Sequence, residues 1–174
     1  LIKCGADTFI RIGTSGGMDL EVCGGDLVIA SAAVRGEGTS AEYLPLDYPA
    51  VANFDVINAL KQAADKLSSN ELGNKYHIGV VHSKDSFYGE VEPENSPVSD
   101  NIKSRWNSYL KCGCLTSEME CASIFAVGIA RKVRCGGVMT ALWNVERSKL
   151  GLPDNITDDS TRAIKCVINA IEIL

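Results

Sequence analysis

The sequence has no cysteines at CxxC spacing, only two histidines, no run of 18 apolar residues and no excess of basic residues. Each shortage removes a class of function. The seven cysteines (4, 23, 112, 114, 121, 135 and 166) are odd in number, and Cys112-Gly-Cys114 is the only close pair. A structural metal site needs two well-spaced pairs or histidine partners. His77 and His82 lie far along the chain from these cysteines, so no metal is expected. Unpaired thiols fit a reducing cytosol, and a cytoplasmic location is the expectation. Without a long apolar run, no membrane-spanning helix is expected, and the opening LIKCGADTF does not read as a signal peptide. A net charge of −5 and a pI of about 5.1 argue against nucleic-acid backbones and anionic membranes as partners. A small anion in a locally positive pocket stays compatible with that balance. Neither a GK[ST] loop nor GxGxxG occurs, so the common nucleotide-binding loops are excluded.

What is present is an ordinary globular composition, 45% hydrophobic and 22% charged over 174 residues, enough for one domain. Strand and helix patterns alternate. Residues 9–12, 26–34, 76–81 and 135–143 read as strands. Residues 49–67 read as a helix whose apolar face is Val56, Ile57, Leu60, Ala64 and Leu67. A helix opening at Pro97, with Ser96 as its cap, carries Val98, Ile102, Trp106, Tyr109 and Leu110 and stops at Gly113. The stretch 118–132 reads as a buried helix, apolar on all sides in its middle. A last helix over 158–174 is expected to bury Ile164, Val167, Ile168 and Ile171. The alternation predicts an α/β fold with a largely parallel or mixed sheet. Ligands in such folds sit beyond strand ends, which singles out the loops 13–19, 82–97 and 144–155, together with 114–121.

In 8-TFIRIGTSGGMD-19 an arginine interrupts an apolar strand that breaks into glycines and hydroxyls. Glycines let backbone N–H groups approach an anion, Thr14 and Ser15 add donors, and Arg11 offers a two-pronged fork to phosphate. The same pattern also describes a plain turn with Arg11 in solvent. Ser117-Glu118-Met119-Glu120 has carboxylates that suit sugar hydroxyls, but Ser117-x-x-Glu120 also spells a capping box. Phe87 and Tyr88 can stack on a planar base or anchor their loop. Glu90, Glu92 and Glu94 read as a solvated acidic face. His82 follows a strand and is given no role. Asn144 suits either a ligand contact or a turn.

Taken together, FIRIGTSGG, EYLPLDYPAVANFD, SKDSFYGE, SEMECA and ALWNVER, in this order, resemble the nucleoside phosphorylase-I superfamily, and most of all its uridine phosphorylase branch. The resemblance runs from Phe9 to the final helix. It implies a mixed central sheet flanked by helices, in a single phosphorylase-type domain over 1–174 that lacks the family's N-terminal strands. It implies reversible phosphorolysis, in which nucleoside plus phosphate gives free base plus (deoxy)ribose 1-phosphate. Phosphate is the co-substrate, with no metal or organic cofactor. The catalytic residues implied are Arg11 and Glu120. Arg11, Gly13 and Thr14 would bind phosphate; Glu118, Met119 and Glu120 the ribose; Ser15, Gly16, Phe87, Glu90 and Asn144 the base. A homo-oligomer, dimer or hexamer, with shared sites is implied as well.

Two departures stand out. The uridine branch reads the uracil edge with a glutamine and an arginine, and here Glu90 and Glu92 take those places. An ionised glutamate only accepts hydrogen bonds. The family's glycine-rich phosphate loop and further arginines precede the point where this sequence starts. Three alternatives stay open: a purine nucleoside phosphorylase, a hydrolytic nucleosidase of the same superfamily, and a non-catalytic nucleoside-binding homologue. The arginine at 11 and the asparagine at 144 speak against the nucleosidase, since the purine branch carries an aspartate at the latter position.

Overall fold

The computed structural model describes residues 1–174. Its strands are β1 (Thr8–Gly17), β2 (Leu27–Gly36), β3 (Ala50–Val51), β4 (Tyr76–Lys84), β5 (Thr116–Glu118) and β6 (Arg134–Asn144). Its helices are α1 (Phe54–Asp65), α2 (Phe87–Val91), α3 (Ser99–Lys111), α4 (Cys121–Arg131), α5 (Val145–Lys149) and α6 (Thr161–Ile171). The expected mixed sheet with flanking helices is present. The strand order is β3-β2-β4-β5-β1-β6, and a further antiparallel pairing of β6 with β2 curls the sheet into a ring.

Alternation along the strands divides the core in two. Val28 and Ala30 of β2, with Met139 and Ala141 of β6, pack against Ala122 and Phe125 of α4. Leu27 and Ile29, with Val138, face the other way, against α1 and α6. Successive strand residues point to opposite faces, so these strands, apolar at nearly every position, serve both layers.

Several elements differ from the sequence expectation. Residues 13–17 are not a loop but the second half of β1, hydrogen-bonded to β6 with a register shift between Ser15 and Gly16. Glycine and hydroxyl side chains hide a strand from propensity because pairing on both sides overrides it. The helix expected from residue 49 is preceded by β3, and α1 starts at Phe54, capped by Asn53, whose side-chain oxygen accepts from the N–H groups of Asp55 and Val56. Ser96 does not cap α3, which begins two residues past Pro97. The stretch 83–97 contains α2, capped by Ser86, and 144–155 contains α5. α6 buries Ala163, Cys166, Val167 and Ala170, while Ile164, Ile168 and Ile171 are exposed. The reason is close packing: α6 meets the alanine face of α1 (Ala59, Ala63, Ala64), where small side chains let the helices approach and isoleucines would hold them apart. Likewise α4 buries only one side, through Cys121, Ala122, Phe125, Ala126 and Gly128.

The strand directions position the site. β1 and β4 run toward each other from opposite directions and meet across the short β5: Gly16 pairs with Ser117 on one side, and His82 and Ser83 pair with Ser117 and Glu118 on the other. Their C-terminal ends converge at one point, beside the end of β6. No helix is long and apolar enough to cross a membrane.

Candidate active site

A cavity of about 670 Å³ opens where these strand ends converge, within the range of small-molecule sites. β1 contributes Arg11, Thr14, Ser15 and Gly16; β4 contributes Lys84; the β5–α4 junction contributes Ser117, Glu118, Met119 and Glu120. Phe87 and Glu90 of α2, Ile102 and Trp106 of α3, and Leu142 and Trp143 of β6 complete most of its wall. The sequence-predicted residues Arg11, Thr14, Ser15, Gly16, Phe87, Glu90, Glu118, Met119 and Glu120 are thus brought together from distant segments.

Arg11 is the cation at one end. Its side chain is nearly buried and lies over Gly13, where an added β-carbon would overlap the guanidinium. Gly13 therefore acts through the room it leaves Arg11; it does not itself line the cavity. The Arg11 Nε donates to Glu120 Oε2 at 3.1 Å, Nη2 donates to the same oxygen, and Glu118 Oε2 stands 3.5 Å from Nε. Burial works against the charged form, but the neighbouring Cys121 sulfur and the Glu118 and Glu120 carboxylates outweigh it and push the guanidinium pKa above its ordinary value. Arg11 Nη1 is buried without a hydrogen-bond partner, and so is the Ser15 hydroxyl. Both residues belong to the strand that forms one cavity wall, and buried polar groups are rarely left unsatisfied in native folds.

The two glutamates have separate roles, and the capping-box reading is corrected. Ser117 does not cap α4: its hydroxyl accepts from Lys84 Nζ at 2.6 Å and donates to Glu90 at 2.5 Å. Glu118 does the capping. Its Oε2 accepts from the N–H groups of Glu120 and Cys121, both at 2.9 Å, and its other oxygen accepts from the Ser83 hydroxyl. Ser83 in turn accepts from Ala122 N–H. The side chain of Glu118 is fully buried, whereas that of Glu120 is 52% exposed. The carboxylate available to a ligand is therefore Glu120, and Glu118 holds the helix start that presents it.

Glu90 is not on a solvated acidic face. Its side chain is almost buried, with Lys84 Nζ 2.9 Å from Oε2 and His82 Nδ1 2.9 Å from Oε1, the latter off the ring N–H axis. Burial disfavours its charge, but the His82 contact, the Lys84 ammonium and the Ser117 hydroxyl prevail and keep the carboxyl below its usual range. Glu92 points elsewhere and accepts from Asn95. Phe87 meets Tyr88 and Trp143 edge-on, with ring centroids at 5.4 and 6.5 Å. Lys84 Nζ lies 5.9 Å from the Phe87 ring centre.

Asn144 is corrected from base contact to scaffold. It is fully buried and outside the cavity lining. Its amide donates to the carbonyls of Asp19 and Val22, and its oxygen accepts from Arg147 N–H as the cap of α5. Lys84 is a cavity-wall residue that the sequence reading missed. The signal was its place two residues after His82 on β4, which puts both on one face, with Ser83 on the other. No group of three or more His, Cys, Asp or Glu is arranged to hold a metal ion.

A family model described as the phosphorylase superfamily matches residues 1–172. The uridine phosphorylase of Treponema pallidum is 42% identical over 174 residues, covering all of this chain and 66% of that protein. The guanosine phosphorylase of Halorubrum lacusprofundi is 33% identical over 181 aligned positions, covering all of this chain and 68% of that protein. The uridine phosphorylase of Escherichia coli is 30% identical over 173 residues, covering 98% of this chain and 66% of that protein. The chain thus spans about two thirds of the length of these relatives.

Proposed function

The chain belongs to the phosphorylase superfamily, and from that premise we propose that it carries out reversible phosphorolysis of a nucleoside, uridine before others, to free base and (deoxy)ribose 1-phosphate. The observation that carries the reading is a cavity whose lining brings Arg11, Thr14 and Ser15 of one strand beside the half-exposed Glu120 carboxylate. An anion at the first and vicinal hydroxyls at the second would place phosphate beside a ribose.

In this reading inorganic phosphate attacks C1′ as the C1′–N bond breaks and the base leaves with the bond pair. The sugar passes through a state with oxocarbenium character. The protein contributes position and charge. Arg11 and Thr14 hold phosphate, and Glu120 accepts from the 2′- and 3′-hydroxyls. Met119 lies along the sugar, and Phe87 packs against the base. Phosphate on Arg11 would take the place Glu120 now fills, freeing that carboxylate for the ribose. The reaction as proposed needs phosphate as co-substrate and no metal or organic cofactor. The free thiols support a cytoplasmic setting, and the family likeness supports a homo-oligomer.

The test is a panel of uridine, thymidine, inosine and adenosine on the full-length protein, with and without phosphate. Base release from uridine should need phosphate and yield ribose 1-phosphate. Equal release in phosphate-free buffer would identify a hydrolase instead.

A further inference from the structure

We propose that Asp154 and Arg147, which are not part of the cavity lining, are positioning residues: they strap the chain after β6 to the turn between β1 and β2 and so fix the cavity wall beside Phe87. The inference rests on the phosphorylase reading and adds to it two residues that act through that wall and not on a substrate.

Leu142, Trp143, Val145, Ser148 and Lys149 all line the cavity, although neighbours on a regular strand face opposite sides. Leu142 and Trp143 can both reach it because β6 carries one extra residue at that point. Ser15 pairs with Ala141 and Gly16 with Trp143, the two-against-one pattern of a bulge. Past the bulge the wall is carried by α5, a helix of five residues. So short a helix does not hold itself in water. Its place in the wall is set by what grips it from outside.

Asp154 and Arg147 supply that grip through the backbone. Asp154 Oδ2 accepts from the Asn144 N–H at 2.6 Å, at the end of β6. Its Oδ1 accepts from the Gly24 N–H at 2.8 Å, in the turn between β1 and β2. One carboxylate thus joins the strand end to the turn. The two segments are pressed together, since a β-carbon on Gly24 would overlap the Asn155 carbonyl. Arg147 closes the other side. Its Nε and Nη2 donate to the Pro153 carbonyl at 2.8 and 2.6 Å, and Nη1 donates to the Leu20 carbonyl in the same turn. All three nitrogens are engaged, so the guanidinium holds the wall from behind. The front of that wall meets the base side of the cavity. Trp143 stands edge-on to Phe87, and a β-carbon on Gly16 would lie 3.9 Å from Val145 Cγ2. A shift of α5 therefore moves the surface beside the base, whereas Arg11 is carried by β1 and paired with Glu120 at the start of α4.

The experiment compares Asp154→Ala and Arg147→Lys with the parent in the full-length protein, each well below its melting transition. Lysine keeps the charge at 147 but lacks the fork that reaches two carbonyls. Both variants should raise the uridine KM roughly tenfold, less than the roughly hundredfold that a misplacement of about 1 Å can cost. Both should leave the phosphate KM within about twofold of the parent. Trypsin gives a readout independent of turnover, because residues 147 and 149 both lie in α5. Cleavage there should be roughly tenfold faster in both variants, since local opening becomes easier. A lower melting temperature with the uridine KM and the cleavage rate unchanged makes the two residues merely structural and overturns the inference. A phosphate KM that rises as much as the uridine KM overturns it too, as does an Arg147→Lys protein that matches the parent. Base release by the parent in phosphate-free buffer overturns the phosphorylase reading instead, and the uridine KM and cleavage rates still decide the strap.

Discussion

Replacing Glu118 separates scaffold from ligand at the mouth of the cavity. Its carboxylate has no exposed side-chain surface and accepts from Ser83 Oγ, Glu120 N–H and Cys121 N–H, with Arg11 Nε 3.5 Å away. Glu118→Ala leaves those donors without their protein acceptor. Each such group costs about 1–3 kcal/mol, and loss of a helix cap alone costs about 1 kcal/mol. The contributions overlap, so the net destabilisation is about 4 kcal/mol, or roughly 8–16 °C in melting temperature for a chain of this size. Glu118→Gln keeps one oxygen for the two backbone N–H groups but loses the charge beside Arg11, for about 1–2 kcal/mol and roughly 2–8 °C. Since Glu120 would still be presented, the uridine KM of Glu118→Gln should stay within about twofold of the parent. The assays are thermal melting and steady-state kinetics well below both transitions. A Glu118→Gln protein that melts like the parent but has a uridine KM raised tenfold or more would make Glu118 a ribose ligand and refute this division of roles.

Other consequences can be checked independently. Gly13→Ala puts a methyl group where the Arg11 guanidinium lies; the phosphate KM should rise roughly tenfold with the fold retained, and an unchanged value would mean that Arg11 binds elsewhere. Asp26 is buried and accepts from His77 Nε2 and the N–H groups of Cys23 and Lys75. Burial alone would raise its pKa, but these bonds prevail and lower it below the ordinary 3.8. Its stabilisation is thus complete above that ordinary value and is lost as pH falls through the lower folded one. Melting temperature should therefore drop more steeply below about pH 4 in the parent than in Asp26→Asn, and parallel curves would contradict this. Of the seven thiols, Cys4 and Cys112 are exposed and the other five buried, with burial pushing Cys114 up to about 12 and Cys166 to about 11. A thiol reagent should label two cysteines quickly in the native protein and the rest only on unfolding.

Much of the cavity was legible because its residues interrupt or directly follow apolar runs, where chemistry-bearing side chains stand out. Arg11, Thr14, Phe87 and Glu120 stand out that way. What stayed hidden depends on pairing between distant segments. The GTSGG run reads as a loop by composition and is a strand because β5 and β6 hold it. Ser117 and Glu120 fit a capping box within four residues, yet β4 runs alongside and supplies Lys84 to one and Ser83 to the helix start instead. Glu90 reads as a solvent-facing charge, yet on α2 it is nearly buried against Lys84 of β4. On α6 the larger residues suggested the buried face, but contact with the alanines of α1 chose the small ones.

In the proposed reaction Arg11 marks the phosphate end of the cavity and Glu120 the ribose end. The most direct measurement is the full two-substrate kinetics of Arg11→Ala and Glu120→Gln in the full-length protein, varying phosphate and uridine separately. Arg11→Ala should chiefly raise the phosphate KM, and Glu120→Gln should chiefly raise the uridine KM or lower kcat, with its phosphate KM little changed. If Glu120→Gln only shifts the melting temperature, or if Arg11→Ala leaves the phosphate dependence as it was, the assignment of the two ends is wrong.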